Sequence, residues 1–375
     1  MNDYSNSTVS IIGVGLMGGS MGLAARERLG VGSVVGYSRS PRTLDEARQI
    51  GAVTDTAGSV EEAASRADIC FVATPVRTIL EVSRRALAAS GSGCIVTDMG
   101  STKSGLMAAL TSMEEMRFIG GHPVCGAETS GVRNARADLF DKATYFLTSG
   151  PGLEPAHYER LHGFLTGVGA LPTAIDPNAH DRIMALVSHM PHVLAIAAMN
   201  QAGSLSLDGR EALLSAGPSF RDLTRVAGSN PGIWTDIFME NRRWLAESLR
   251  QLRGSMERIE QALTEGDENF LAEMIAEAAA NRNRMLEAEH LEPLDLFVVK
   301  VPVPDRPGVL SQVTVALGNA GINIDDLSFH RISLEQGGVL SLVVSGRETG
   351  EHAVAILRKL GYDAVSVPFS DAEAG

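Results

Sequence analysis

Four short stretches carry side chains able to do chemistry: "GGHPVCGAE" around His122, "TDMGSTKS" around Ser101, "VSHMPH" with Ser188, His189 and His192, and "GPSFRDLTRVAGSNPGIWTDI" with Arg221, Asp222, Arg225 and Trp234. An imidazole exchanges a proton near neutral pH, so His122 is a candidate general acid or base. Two glycines before it and Pro123 after it predict an irregular loop, since proline brings no N–H to a strand ladder. A surface histidine on a turn is the competing reading. Ser101 follows an apolar run, which places it at the carboxyl end of a strand, where open α/β sheets bind ligands; a helix N-cap is its alternative. Arg225 is a natural partner for a substrate carboxylate through paired hydrogen bonds, although two arginines flanking Asp222 also make a solvated ion-pair face. Ser188, His189 and His192 have the spacing of one helical face, disturbed by Pro191. With no carboxylate or cysteine to complete a ligand set nearby, no metal is expected there.

"IIGVGLMGGS" places Gly13, Gly15 and Gly18 in a G-x-G-x-x-G pattern between a strand and a helix. Gly13 permits the tight turn, Gly15 lets backbone approach a pyrophosphate, and Gly18 allows helix and strand to pack closely. The helix N-terminus, with Leu16 and Met17 in its first turn, offers free amides to phosphate, so a dinucleotide is the expected cofactor. An NAD site calls for an acid after the second strand. "GYSRS" has Ser38, Arg39 and Ser40 instead. Arg39 is suited to a 2′-phosphate, which favours NADP without excluding NAD; a solvated loop arginine is its other reading.

The elements that must position these residues alternate strand and helix from residue 8 to about 150. "TVSIIGVG", "SVVGYS", "ADICFVATP" and "GCIVTDMG" read as buried parallel strands, and "LMGGSMGLAARERLG" and "PRTLDEARQIG" as helices, the pattern of a doubly wound sheet. After "SGPGLEP" the character changes, and from about Asn178 to Glu289 the patterns are helical. "HDRIMALVSHMPHVLAIAAMNQA" is apolar nearly all round, which predicts burial, in part against another subunit. Pro293 ends this region. From Leu296 the order is strand, "DRPG", helix, strand, a turn at Gly337–Gly338, strand, helix, strand: a βαββαβ unit. The boundaries expected are 1–170 for a dinucleotide-binding domain, 171–292 for a helical domain and 293–375 for the small C-terminal domain.

At 375 residues the chain is too long for one ordinary core, and 44% hydrophobic with 21% charged residues is a globular composition. A formal charge of −13 argues against nucleic acid as a partner. The sequence shows no unbroken apolar run of about 18 residues and no basic, then apolar, leader, so neither a membrane span nor a signal peptide is expected. Cys70, Cys94 and Cys125 are odd in number and lack metal-ligand spacing. Cys70 and Cys94 read as buried strand residues, and small apolar packing explains Cys125 better than a nucleophile's role. A reduced, cytoplasmic protein is expected.

Together, in order, "GVGLMGGS", "ATPV", "TDMGSTKS", "GGHPVCGAETSG", "VSHMPH" and "FRDLTRVAGSNPGIW" resemble the prephenate and arogenate dehydrogenases of tyrosine biosynthesis over nearly the whole chain. "VPDRPGVLSQVTVALGNAGINIDDLSF" resembles an ACT domain, a small amino-acid-binding regulatory module. The resemblance implies a Rossmann-type domain, an all-α dimerisation domain and a ferredoxin-like ACT domain. It implies oxidative decarboxylation of prephenate to 4-hydroxyphenylpyruvate by a cytoplasmic homodimer with NAD or NADP. His122 matches the catalytic histidine and Ser101 the serine that orients it. Arg225 matches the carboxylate-binding arginine; Ser188, His192, Asp222 and Trp234 match the pocket lining, and Glu128 an acid that orders it. Thr74 and Pro75 of "ATPV" join the cofactor set. In the C-terminal unit Asp305, Gly308, Asn323 and Ile324 are expected near an effector, with tyrosine foremost and phenylalanine its competitor. Arogenate as substrate, and a non-catalytic cofactor and amino-acid sensor, are the alternatives. Two departures stand out: Arg39 replaces the aspartate of NAD-specific members, and Val124 and Cys125 stand where methionine and alanine are common.

Overall fold

The structure, a computed structural model, describes residues 4–111, 117–126, 129–207, 210–290, 296–304, 306, 308–333 and 337–368. Those residues fall in two compact units divided between Gln261 and Ala262.

In the first unit, short runs, β-branched and apolar in the central ones, make strands β1 (Thr8–Ile12), β2 (Ser33–Tyr37), β3 (Asp55–Thr56), β4 (Ile69–Val72), β5 (Ile95–Asp98), β6 (Phe118–Pro123), β7 (Thr144–Ser149) and β8 (Leu171–Ala174). They form one sheet in the order β3-β2-β1-β4-β5-β6-β7-β8. Neighbours are parallel except β6 and β7. Between the strands run α1 (Leu16–Leu29), α2 (Pro41–Gln49), α3 (Val60–Ser65), α4 (Val76–Ala89), α5 (Ser104–Thr111) and α6 (Pro155–Gly167). The pleat sends successive residues to opposite faces. Ile69 and Phe71 of β4 join one apolar core with α1 and α6, while Cys70 and Val72 join a second with α3 and α4. Covering both faces is what permits a parallel sheet. The doubly wound architecture is as expected, and Cys70 and Cys94 are buried free thiols.

The loop expected at His122 is instead part of a strand. β6 pairs with β5 only at Phe118 and Ile119, and beyond them its backbone ladder is with β7, with His122 opposite Phe146 and Pro123 opposite Tyr145. Pro123 is the last residue of the strand, where a missing donor interrupts nothing. The preceding glycines serve close packing rather than a turn. A Cβ on Gly121 would lie 2.4 Å from the Asp98 carbonyl oxygen, and one on Gly120 would lie 2.3 Å from Thr148 Oγ1.

After β8 the unit is mainly helical: α7 (Pro177–Met184), a π-helical turn (Ala185–His189), α8 (Met190–Gly203), a small hairpin of β9 (Ser206–Leu207) and β10 (Arg210–Glu211), α9 (Pro218–Thr224), a 3₁₀ turn (Arg225–Gly228), α10 (Pro231–Glu240) and the start of α11 (Arg242–Glu265). Proline at the first position and Asp176 or Asn230 as the N-cap start α7 and α10. Pro191 accounts for the wide turn: it has no N–H for the Val187 carbonyl, and the Met190 N–H reaches back to Ala185 instead. The segment Pro177–Gly203 contains an 18-residue stretch with a mean hydropathy of 1.4, long and apolar enough to cross a bilayer, a property the sequence reading did not foresee. Its buried residues include His180, Asp181, His189 and His192, whereas Ile183, Leu186 and Val187 are exposed. Burial all round, as expected from composition, is therefore not reached within one chain.

In the second unit, after α12 (Glu268–His290), come β11 (Leu296–Val303), α13 (Val309–Asn319), β12 (Asp326–Ser333), β13 (Gly337–Ser345), α14 (Arg347–Lys359) and β14 (Val365–Pro368). The antiparallel sheet runs β12-β13-β11-β14, the expected βαββαβ unit. Val299, Val301, Val313, Leu317, Leu340, Leu342, Ala353 and Leu357 are fully buried between its sheet and helices. Gly337 and Gly338 open strand β13 rather than forming the expected turn, and residues 334–336 lie outside the described residues.

Candidate active site

Two features meet at the carboxyl ends of the parallel strands. The first is the glycine loop. Gly13 has φ +100°, and a Cβ there would lie 2.5 Å from the Ala73 carbonyl oxygen; one on Gly18 would lie 2.8 Å from Ile11 Cγ2. Gly15, by contrast, would meet nothing within 4 Å, and as N-cap of α1 it provides no side-chain cap. Leu16 and Met17 pack their side chains on the core beside it. Thr74 Oγ1, beside the loop, is buried and has no hydrogen-bond partner. Open backbone, an uncapped helix start and an orphaned hydroxyl fit a phosphate-bearing cofactor. Pro75 is the N-cap of α4. At the end of β2, Arg39 is exposed, Ser38 Oγ accepts from the Ser40 amide at 3.3 Å, and Ser40 Oγ accepts from the Thr43 amide at the start of α2.

The second feature is a buried polar chain. His122 Nδ1 lies 2.8 Å from His180 Nε2, and His180 Nδ1 lies 2.8 Å from Asp181 Oδ1. The Asp181 carboxylate also accepts from the Lys103 amide at 2.7 Å, the Ser104 amide at 2.8 Å and Ser104 Oγ at 2.6 Å, so it caps α5 from another element. Burial pushes its carboxyl up, but hydrogen bonds from His180, Ser104 and the two amides outweigh that and hold it below the usual range. With His180 taken as a neutral imidazole, an ionised Asp181 places its proton on Nδ1 and leaves Nε2 as an acceptor. His122 must then donate from Nδ1 and keep a lone pair on Nε2. Burial, reinforced by His180, Lys103 and His189, drives the His122 pKa well below the ordinary histidine value, so this imidazole is neutral.

Ser101 sits between β5 and α5. It is not the α5 cap, since Asp181 binds the Lys103 and Ser104 amides. The turn that holds it is fixed from below by Lys103 and Asp98, both fully buried, with Nζ 2.5 Å from Oδ2. Asp98 also accepts from the Gly100 amide at 2.8 Å and the Gly121 amide at 3.0 Å, tying the Ser101 turn to the strand of His122.

His122 opens onto a cleft of about 340 Å³ whose lining includes Ser101, Cys125, Ser188, His189 and Trp234. Asn241 Nδ2 donates to the Asp181 carbonyl at 2.7 Å and approaches His189 Nδ1 at 3.1 Å. As Nδ2 is a donor, His189 accepts at Nδ1 and carries its proton on Nε2. Burial is the main reason its pKa falls to about 4. His192 stacks on Trp234 with ring centroids 3.5 Å apart. The structure thus brings together His122, Ser101, Ser188 and Trp234, with His192 behind the tryptophan. Asp222, on α9, and Arg225, on the 3₁₀ turn, are exposed on segments packed against α8 and do not line the cleft. Glu128 lies outside the described residues. Sequence reasoning missed His180, Asp181, Lys103 and Asp98. The available signal was "DPNAHD", a capped helix start that puts a histidine and an acid in its first turns. Among the described residues no cluster of three or more histidine, cysteine or acidic side chains could hold a metal.

In the C-terminal unit Gly308, with φ +90°, is the N-cap of α13 and has no side-chain cap bond. Asn323 Nδ2 donates to Asp325 Oδ1 at 2.7 Å, and Ile324 packs partly buried on the core. Asp305 lies outside the described residues.

A nucleotide-binding α/β fold joined to a helical segment through a histidine-lined cleft describes a broad class of two-part enzymes. Comparison narrows it. Residues 21–172 match the family described as prephenate dehydrogenase, nucleotide-binding domain, residues 176–277 its dimerization domain, and residues 297–362 the ACT domain. The chain belongs to the prephenate dehydrogenase family and carries an ACT domain. It is 29% identical over 340 residues to prephenate dehydrogenase of Bacillus subtilis (strain 168), covering 89% of this chain and 91% of that protein. The crystal structure of prephenate dehydrogenase from Aquifex aeolicus with hydroxyphenyl propionate and NAD+ superposes with TM-score 0.72 at 28% identity, covering 76% of this chain and 100% of that one. Synechocystis arogenate dehydrogenase gives TM-score 0.66 at 26% identity, covering 74% and 99%.

Proposed function

We propose that this chain is a cytoplasmic, NAD(P)-dependent prephenate dehydrogenase, acting as a homodimer and feedback-inhibited by tyrosine. The observation that carries the reading is the neutral, buried His122, whose Nε2 lone pair is left for the cleft by the hydrogen bond at Nδ1. Prephenate bears a ring carboxylate opposite a hydroxyl-bearing carbon. Loss of hydride from that carbon and of CO2 from the opposite position gives 4-hydroxyphenylpyruvate. When bound, the nicotinamide accepts the hydride. His122 accepts the hydroxyl proton as general base, and Ser101 orients hydroxyl and imidazole. Ser188, Trp234 and, behind it, His192 shape the pocket with Glu128; Arg225, for a substrate carboxylate, and Asp222 stand exposed outside the cleft, so their roles require α9 and the 3₁₀ turn to move toward bound substrate. Because aromatisation drives the reaction, orientation, a base and charge pairing are the main demands on the protein. Gly13, Gly15, Leu16, Met17, Gly18, Thr74 and Pro75 hold the cofactor, with Ser38, Arg39 and Ser40 at its ribose. Arg39 favours NADP.

Arogenate is the second reading. Among the described residues lining the cleft there is no lysine or arginine to repel its ammonium group. In domain terms the proposal assigns 1–170 to cofactor, 171–292 to substrate and dimerisation, and 293–375 to regulation, with the effector beside Asp305, Gly308, Asn323 and Ile324. The test is the absorbance of reduced nicotinamide with purified protein, crossing prephenate and arogenate with NAD and NADP, each with and without tyrosine. Reduction with prephenate and NADP, suppressed by tyrosine, is expected. No reduction in any pairing sinks the catalytic reading in favour of a sensor, and tyrosine-insensitive turnover removes the effector assignment.

A further inference from the structure

We infer that His180 and Asp181 are positioning residues that form a proton relay behind His122. The inference rests on the proposed role of His122 as base, and it adds where the proton's charge goes. Three buried side chains are joined in sequence at 2.8 Å and 2.8 Å, and each is anchored independently. His122 is held on β6, and Asp181 by the α5 amides of Lys103 and Ser104. His180 lies in the first turns of a helix capped by Asp176, with its ring edge-on to Phe146. The arrangement resembles nucleophile–base–acid triads in one respect: each member fixes the tautomer of the next.

The substrate O–H bond breaks and its proton bonds to His122 Nε2, the O–H electron pair becoming the second bond of the nascent carbonyl. The His122 Nδ1–H bond breaks in turn, and that proton bonds to His180 Nε2. His180 is then an imidazolium against the Asp181 carboxylate, and His122 is neutral again. When the carboxylate leaves as CO2, its bonding electrons enter the ring and the oxygen becomes that of a phenol. Both transfers reverse to supply its proton. The proton is lent and returned, and at no stage must the cleft itself hold a lasting positive charge. Direct protonation of His122 would place that charge in a buried site with the Lys103 ammonium nearby.

The groups facing His122 are His180 from α7, Lys103 before α5, and His189 from the π turn, with Asp98, Asp181, His192 and Cys125 around them. Of these, His180 adjoins His122 directly and competes with it for a proton. The first test is 15N NMR of full-length protein labelled at histidine, with His122 identified by its loss in His122→Gln. A neutral His122 protonated at Nδ1 is expected. Protonation at Nε2, or a doubly protonated ring near neutral pH, overturns the relay. That readout needs no turnover, so it stands apart from the substrate assignment. The second test is His180→Asn, which retains an acceptor for His122 but cannot take its proton. The expected result is kcat lower by about 10- to 100-fold, part of the ~10²–10⁴ a general base supplies, with KM nearly unchanged. The acid limb of kcat/KM should move to higher pH as the competing imidazole is removed. Wild-type kcat together with an unmoved acid limb would overturn the proposal.

Discussion

His122 makes the clearest prediction at the scale of single residues. His122→Asn should keep the fold and cofactor affinity yet lose on the order of 10²- to 10⁴-fold in turnover, measured by steady-state kinetics beside cofactor titration. Protonation of the buried histidines gives a second. His189 titrates at about 4, below the ordinary 6.5, and His122 is also depressed by burial. The unfolded chain therefore binds protons that the native chain refuses between those values, and stability falls as pH drops from 6.5 toward 4. Melting temperature against pH should show that slope, and His189→Asn should flatten it. At this scale, the types His122, Ser101, Ser188 and Trp234 were legible because each sits in a distinctive short string. His180 and Asp181 were not. Their meaning lies in partners 58 and 78 positions away, across a fold that no local pattern specifies.

Among the elements, β6 was misread because Pro123 was judged as a ladder breaker without knowing that the ladder has one side there. Its glycines have a measurable consequence. Gly121→Ala places a methyl against the Asp98 carbonyl and the Tyr145 ring, parting β6 from the Ser101 turn. A loss of about 1–3 kcal/mol in urea denaturation is expected, with impaired turnover, as for other overpacked interiors. The parallel strands and α1 were readable because their apolar runs and glycines are dictated by burial on both faces. The π turn was only half readable: Pro191 announced a disturbance, but whether a kink, a break or a widened turn follows depends on the packing around it. The widened turn keeps Ser188 and His189 on the cleft while the rod continues unbroken into α8.

For the molecule as a whole, the order of sheet, helical segment and C-terminal βαββαβ unit followed from composition and periodicity. The exposed surface did not, since an apolar helix looks alike whether its partner is its own core or a second chain. The rod from Pro177 to Gly203 has two sides. One buries His180, Asp181, His189 and His192 at the cleft, and the other exposes Ile183, Leu186 and Val187. If those apolar residues are covered by a second copy, as proposed, association and catalysis share one rigid piece. Mass action then enters the kinetics: specific activity should decline on dilution through the dissociation constant and recover on concentration, tracking the dimer fraction seen by light scattering. Specific activity constant through that range would show that each subunit works alone. The amount of protein a cell holds would set not only how many active sites it has, but how well each of them works.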